Sequence, residues 1–263
     1  GEVPEVKNFF VCCGLNSIGI GSGGGVGKVT AEWLINGHIN DDIFCYDIKR
    51  FQKFHSDLGF IKKRITESLG DLYGMHWPYK QHKTSRNVKV LPYHEELKSF
   101  GACFGVSGGY ERPMWFALDG EKTEYEYSYN YQNWYPSAEY ETNNTIRNVG
   151  LFDLTPFSKF EIKSDKAHKE LQKICTANIK DEVGKCTYTN MLNPDGGIET
   201  DLTVVCIDIN HFRIISSAVS RERDKFHIKR YLSKDIELKD VTDDFCVFGI
   251  FGPKSRALMK LIS

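Results

Sequence analysis

Two short stretches combine residue types and spacing that could do chemistry. Gly19-Ile-Gly21-Ser-Gly-Gly24 satisfies G-x-G-x-x-G, between the apolar run Phe9–Cys13 and a helical pattern over Val26–Asn36. Such a run of small residues exposes backbone N–H groups at a helix N-terminus. The partial positive charge there favours an anion or an electron-rich ring edge. A dinucleotide fingerprint asks for more than this. Asp47 ends a second strand-like run, about where a ribose-binding acid would sit. However, Gly14, which ends the first strand, lies five residues before Gly19, too far for the tight first turn. No further βαβ unit follows to complete a Rossmann sheet. Gly23-Gly-Gly-Val-Gly27-Lys28 also fails as a P-loop, because Ser22 and Val29 stand where Gly and Ser or Thr are needed. The bland account of the run is a flexible turn.

The second stretch is Met191-Leu-Asn-Pro-Asp-Gly-Gly197-Ile-Glu-Thr-Asp201-Leu-Thr-Val-Val. Asn193-Pro-Asp-Gly196 has Pro and Gly where turn chemistry wants them. The strand after it alternates Ile198, Thr200, Leu202 and Val204 against the polar set Glu199, Asp201 and Thr203. Ordinary alternation in a half-solvated sheet accounts for that pattern. The functional alternative puts the Asp201 carboxylate on an open face, where it can accept hydrogen bonds from an N–H-rich heterocycle. The eight histidines show no HxxxH or HExxH spacing, and no nucleophilic set can be assembled. No catalytic residue and no metal ligand is therefore assigned.

The elements that must position these residues read as a mixture. The predicted strands are Phe9–Cys13, Gly150–Asp153, Lys159–Lys163, Gly197–Ile207, Phe212–Ser216 and Phe245–Phe251. The predicted helices are Val26–Asn36, Asp57–Leu69, Tyr93–Phe100, Ala138–Asn148, Lys166–Ile174, Val219–Tyr231 and Pro253–Ile262. Residues 106–136 read as a long aromatic loop, in which Tyr125–Tyr131 is a strand or an extended arm. Strands and helices mix without regular βαβ alternation, so the fold class is α+β.

Length and composition agree with a folded protein. The chain has 263 residues, 41% hydrophobic and 26% charged, enough to bury a core. Its formal net charge of −1 gives no bulk reason to bind nucleic acid or an acidic membrane. No apolar run is long enough to span a bilayer. The eight cysteines include no CxxC pair, which argues against a structural zinc site and for reduced thiols in a cytosolic or matrix compartment. The first residues read as cut rather than natural, and the C-terminal helical pattern stops without a cap. The expectation is a segment of a longer protein.

Several of these stretches together resemble one family. Gly14-Leu-Asn-Ser-Ile-Gly-Ile-Gly-Ser-Gly-Gly-Gly-Val-Gly-Lys28, Ala31–Gly37 and Asp47–Phe51 resemble the end of the flavin domain of the sarcosine and dimethylglycine dehydrogenase family. Tyr110-Glu-Arg-Pro-Met-Trp-Phe116 and Asn133-Trp-Tyr resemble that family's junction. Gly150–Lys163, Met191–Gly197 and Gly249–Arg256 resemble its folate-binding half, which is related to the glycine-cleavage T protein, an aminomethyltransferase. The matches run in order over nearly the whole chain, and finer details look most like sarcosine dehydrogenase.

The resemblance implies three segments: residues 1–48 as the end of an FAD-dependent oxidoreductase domain, 49–105 as a small linking subdomain, and 106–263 as the first part of a folate-binding domain. It implies FAD and tetrahydrofolate as cofactors and a small N-methyl amine as substrate. The amine is oxidised to an iminium, and its one-carbon unit passes to tetrahydrofolate. The flavin-contacting stretch falls on Asn16, Ser17, Ile18, Gly19, Ile20 and Gly21. The folate-contacting carboxylate falls on Asp201, beside Leu202 and Thr203, and its implied role is to grip and polarise folate. The electrons leave either to a carrier such as an electron-transfer flavoprotein or to oxygen. The implied compartment is the mitochondrial matrix in a eukaryote and the cytoplasm otherwise. The family's phosphate-binding βαβ unit, its flavin-attachment histidine and the second half of the folate domain have no counterpart here. The segment alone is therefore expected to be inactive. Two other expectations stand beside this one. The chain could serve a non-catalytic regulator resembling the regulatory subunit of pyruvate dehydrogenase phosphatase, or a free-standing aminomethyltransferase.

Overall fold

The computed structural model describes residues 1–39 and 41–262. Helix α1 spans Gly19–Asn36. Short 3-10 turns at Phe44–Tyr46, Ile48–Arg50 and Lys53–Ser56 lead to α2, Leu58–Tyr73. Then come α3 (His94–Ser99), β1 (Ala102–Ser107), β2 (Tyr110–Phe116) and α4 (Tyr135–Arg147). The chain continues through β3 (Gly150–Asp153), β4 (Ser158–Lys163), α5 (Ala167–Ile174), β5 (Cys186–Leu192), β6 (Ile198–Asp208) and β7 (His211–Ser216). It ends with α6 (Arg221–Tyr231), β8 (Leu238–Asp240), β9 (Phe248–Phe251) and α7 (Ser255–Ile262). The class is α+β, as expected. No described helix is long and apolar enough to cross a membrane.

The chain forms two compact units, each built from two stretches. One joins residues 1–52 to 158–242, and the other joins 53–157 to 243–263.

The first unit holds a five-stranded antiparallel sheet in the order β5-β6-β7-β4-β8. Period-two alternation on β6 and β7 sends Leu202, Val204, Cys206, Phe212 and Ile214 to one face, where all are almost fully buried. Phe160 and Ile162 of β4 join them, as do Ala167 and Leu171 of α5 and Ile228 of α6, in one core. This core is why the patterns of β4, β6 and β7 were legible. β5 and β8 lie at the two edges and were not foreseen.

The N-terminal region departs from expectation in two ways. Phe9–Cys13 is not a buried strand. Only an isolated bridge pairs Phe10 with Glu2, and Phe9, Cys12 and Cys13 are exposed. Nor is there a Gly-rich turn before a helix at Val26. The helix begins at Gly19 and takes in six glycines. Asp47 does not end a strand. It caps the Ile48–Arg50 turn, with Oδ1 accepting the Lys49 N–H at 2.9 Å and Oδ2 meeting Lys49 Nζ at 3.1 Å. A buried, paired carboxylate of this kind is structural. Asn40, between the expected helix and the strand-like run ending near Asp47, and Ser263, at the C-terminal end, lie outside the described residues.

In the second unit, β1 and β2 form a hairpin where a loop was expected. Ser107 pairs with Tyr110 across Gly108-Gly109, and both glycines have positive φ, as the favoured two-residue hairpin turn requires. The register slips beside Pro113, which has no N–H to give the ladder. The arm 125–135 forms no strand. Its rings pack within this unit instead: Tyr125 lies edge-on to Trp134 and Trp115, and Tyr129 tilts over Trp77. β3 and β9 make a second antiparallel pair.

Candidate functional site on the outer sheet face

The Asn193–Gly197 turn fixes the start of β6. The Asn193 side-chain oxygen accepts the N–H groups of Asp195 and Gly197 at 3.0 and 2.7 Å. Gly196 adopts φ 83°, a left-handed conformation that glycine takes without strain. Locked in this way, β6 presents Glu199, Asp201 and Thr203 away from the core while Thr200 and Leu202 face into it.

Asp201 is exposed and pairs across the sheet with Asn190 of β5. Its Oδ2 accepts the Tyr188 hydroxyl at 3.0 Å. This hydrogen bond raises the Tyr188 pKa. Sequence reasoning missed Tyr188. The alternation Thr187, Tyr188, Thr189, Asn190, Met191 was the signal that could have found it. Thr203 is half-buried on the same face, opposite Tyr188. Leu202 is 2% exposed in the core, so only its backbone is available to a ligand on the outer face.

Asn16, Ser17, Ile18, Ile20 and Gly21 are exposed around the start of α1, with Gly19 half-buried. Ser22 N–H bonds the Ile18 carbonyl at 2.9 Å. The N–H groups of Gly19, Ile20 and Gly21 precede any intrahelical acceptor. At about 1.5 Å per residue, the helix places this stretch roughly 27 Å from its own C-terminal end. Among the described residues, no hydrogen bond, ion pair or ring contact joins this stretch to Asp201, Leu202 or Thr203.

The C-terminal end of α1 does reach the β6 turn. Gly37 ends the helix at φ 75°, and its N–H bonds the Trp33 carbonyl. His38 then meets the Asn36 carbonyl through Nδ1 at 3.1 Å and Asp195 Oδ2 through Nε2 at 2.8 Å. A cavity of about 460 Å³ lies beside this pair, lined in part by Trp33, His38, Glu199, Arg223 and His227. Burial, with Arg230 and Arg223 nearby, pushes His227 down to about 4, so it is neutral at pH 7. Asp201 lies outside this lining.

The Asp195 hydrogen bond raises the His38 pKa above its ordinary 6.5. A raised folded-state pKa stabilises fully below the unfolded value, and the contribution is lost as pH rises through the folded one. Asp195 is more than half exposed, so solvent screening holds the effect to about 1 kcal/mol or less. Asp195→Asn is expected to lower the His38 pKa in an NMR titration of its ring protons. A curve unmoved by the substitution would contradict the pairing.

The chain is 38% identical over 264 residues to 4-methylaminobutanoate oxidase (formaldehyde-forming) of Paenarthrobacter nicotinovorans, covering 100% of this chain and 32% of that protein. It is 30% identical over 303 residues to mitochondrial sarcosine dehydrogenase of Homo sapiens, covering 99% and 33%. The chain thus spans about a third of the length of these relatives. Among solved structures, aminomethyltransferase T of the glycine cleavage system from Bartonella henselae superposes with a TM-score of 0.54 at 20% identity, over 65% of this chain and 43% of that one. That likeness concerns the fold alone. The model of the FAD dependent oxidoreductase central domain matches residues 36–90. The model of the GCVT N-terminal domain matches residues 93–263, well over half of the sequence, and the chain belongs to that family.

Proposed function

We propose that this chain works within an FAD-dependent oxidoreductase that oxidises a small N-methyl amine and hands the one-carbon unit to tetrahydrofolate. The observation that carries this reading is the order of the matches. A flavin-oxidoreductase central domain at 36–90 runs directly into a GCVT domain at 93–263. On this reading, residues 1–48 belong to the flavin side, 49–105 link the two, and 106–263 begin the folate side. Sarcosine, dimethylglycine and 4-methylaminobutanoate are the candidate substrates. An electron-transfer flavoprotein is the proposed electron acceptor, and the matrix is the proposed compartment in a eukaryote.

The residues present fit both cofactors. The start of α1 offers backbone N–H groups and a positive dipole end without a side-chain cap. Asn16–Gly21 would thereby hold the electron-rich edge of a flavin ring. Asp201 is an exposed carboxylate with Tyr188 on one oxygen. The other oxygen can accept a donor from a pterin-like ring. Bound FAD supplies hydride abstraction, and bound tetrahydrofolate supplies a one-carbon acceptor. The chain's own part is positioning. The Asn193–Gly197 turn sets the β6 register, and Tyr188 orients the Asp201 carboxylate toward the open face. Holding reactants in place can by itself supply much of the barrier lowering.

Asp201→Asn in the full protein is expected to weaken tetrahydrofolate binding about 10- to 100-fold, the worth of a charge-assisted hydrogen bond. Titration of the folate by intrinsic fluorescence checks this. An affinity equal to that of the unsubstituted protein would remove Asp201 from the site.

A further inference from the structure

Three metal-ligating side chains converge in the second unit, within residues 67–82. Glu67 and Asp71 stand one turn apart on α2, so both carboxylates share a face. His82 lies opposite, with Nδ1 at 3.9 Å from Glu67 Oε1 and 3.6 Å from Asp71 Oδ2. One ligand atom from each of the three lies within 4.8 Å of the others. Those distances are too long for hydrogen bonds, and buried Nδ1 has no hydrogen-bond partner. Two ligand atoms each about 2.1 Å from a tetrahedral ion stand about 3.4 Å apart. The two separations from His82 Nδ1 exceed that by only a few tenths of an ångström, and the three ligand atoms all lie within 4.8 Å of one another.

The outer contacts are those of a supported metal site. The Lys83 N–H donates to Glu67 Oε1 at 2.6 Å, and the Thr84 N–H donates to Oε2 at 2.8 Å. Lys80 pairs with Asp71 Oδ1, the oxygen turned away from the His82 contact. Each carboxylate is thus held by a second group, and on Glu67 the Lys83 N–H holds the same oxygen, Oε1, that faces the imidazole; such outer contacts orient ligands around bound metals. Glu67 is 13% exposed and Asp71 29%, so both carboxylates are partly withdrawn from water.

We propose that Glu67, Asp71 and His82 bind a divalent first-row transition ion, with zinc the favoured occupant. One imidazole and two carboxylates suit such an ion, and three protein ligands leave a position for water. The site is independent of the flavin and folate assignments.

Cobalt(II) is the probe, because its visible bands report the ligand types. The full chain is expected to bind one equivalent saturably, with d–d bands and no thiolate charge-transfer band. His82→Ala and Asp71→Asn, each checked for native circular dichroism, are expected to weaken binding at least tenfold. His76→Ala is expected to leave it unchanged. A thiolate band would assign the metal to exposed cysteines such as Cys12 and Cys13 and overturn the site. Absent saturation, or affinity unmoved in both folded variants, would overturn it equally.

Discussion

Replacing Glu111 with Ala is expected to destabilise the second unit by about 3–5 kcal/mol, the cost of removing one partner of a buried ion pair. Glu111 is 2% exposed on β2. Its Oε1 accepts Arg86 Nε at 2.7 Å and the Asn87 N–H at 2.7 Å. Its Oε2 accepts Arg86 Nη2 at 2.5 Å. Arg86 also reaches the carbonyls of Phe104 and His82, so one carboxylate pins the 82–87 loop to the hairpin. Without it, a half-buried guanidinium and a backbone N–H lose their acceptor. At roughly 2–4 °C per kcal/mol, the melting temperature should fall by about 10 °C. A fall of less than about 2 °C would contradict the role given to the pair.

The same pair has a signed pH dependence. Burial is the largest influence and alone would raise the Glu111 pKa, but the Arg86 hydrogen bond, the Asn87 N–H and the charges of Arg86 and His94 together outweigh it, and the net shift is downward from 4.5. A lowered folded-state pKa gives stability that is complete above the ordinary carboxylate value. That stability is lost as pH falls through the folded one. The acid limb of the stability curve should therefore flatten in Glu111→Ala.

The second large effect runs the other way. Replacing Gly23, Gly24 and Gly25 together with Ala is expected to stabilise α1 by about 2–3 kcal/mol, near 1 kcal/mol per exposed helical glycine. At each of the three positions, an added Cβ meets nothing within 4 Å. No steric penalty offsets the gain. Helicity by circular dichroism and the thermal midpoint should both rise. Unchanged helicity would mean that residues 19–27 are not helical in solution.

The comparison between sequence and structure divides along physical lines. β6 and β7 were legible because one face of each is buried, and burial writes a period of two into the residues. The Asn193–Gly196 turn was legible because Pro, Asn and Gly have narrow conformational roles. α1 was misjudged at its start, since the six glycines within it oppose helix formation locally. The β1–β2 hairpin was passed over although Gly108-Gly109 announces it; the surrounding aromatic residues read as loop. The outward placement of Asp201 was legible in the alternation of β6, but Tyr188 sits on an edge strand paired only with β6, where alternation is weakly enforced. The His38–Asp195 contact joins residues 157 positions apart. No local pattern encodes such a pair, nor the meeting of His82 with α2.

The most direct test of the proposed function uses the native protein that carries this chain, purified from its source and kept anaerobic. Sarcosine, dimethylglycine and 4-methylaminobutanoate are added in turn while the visible flavin absorbance is followed. The account predicts a bound flavin that one of these amines bleaches. A protein without flavin, or a flavin that none of them bleaches, would contradict it and favour a non-catalytic regulator.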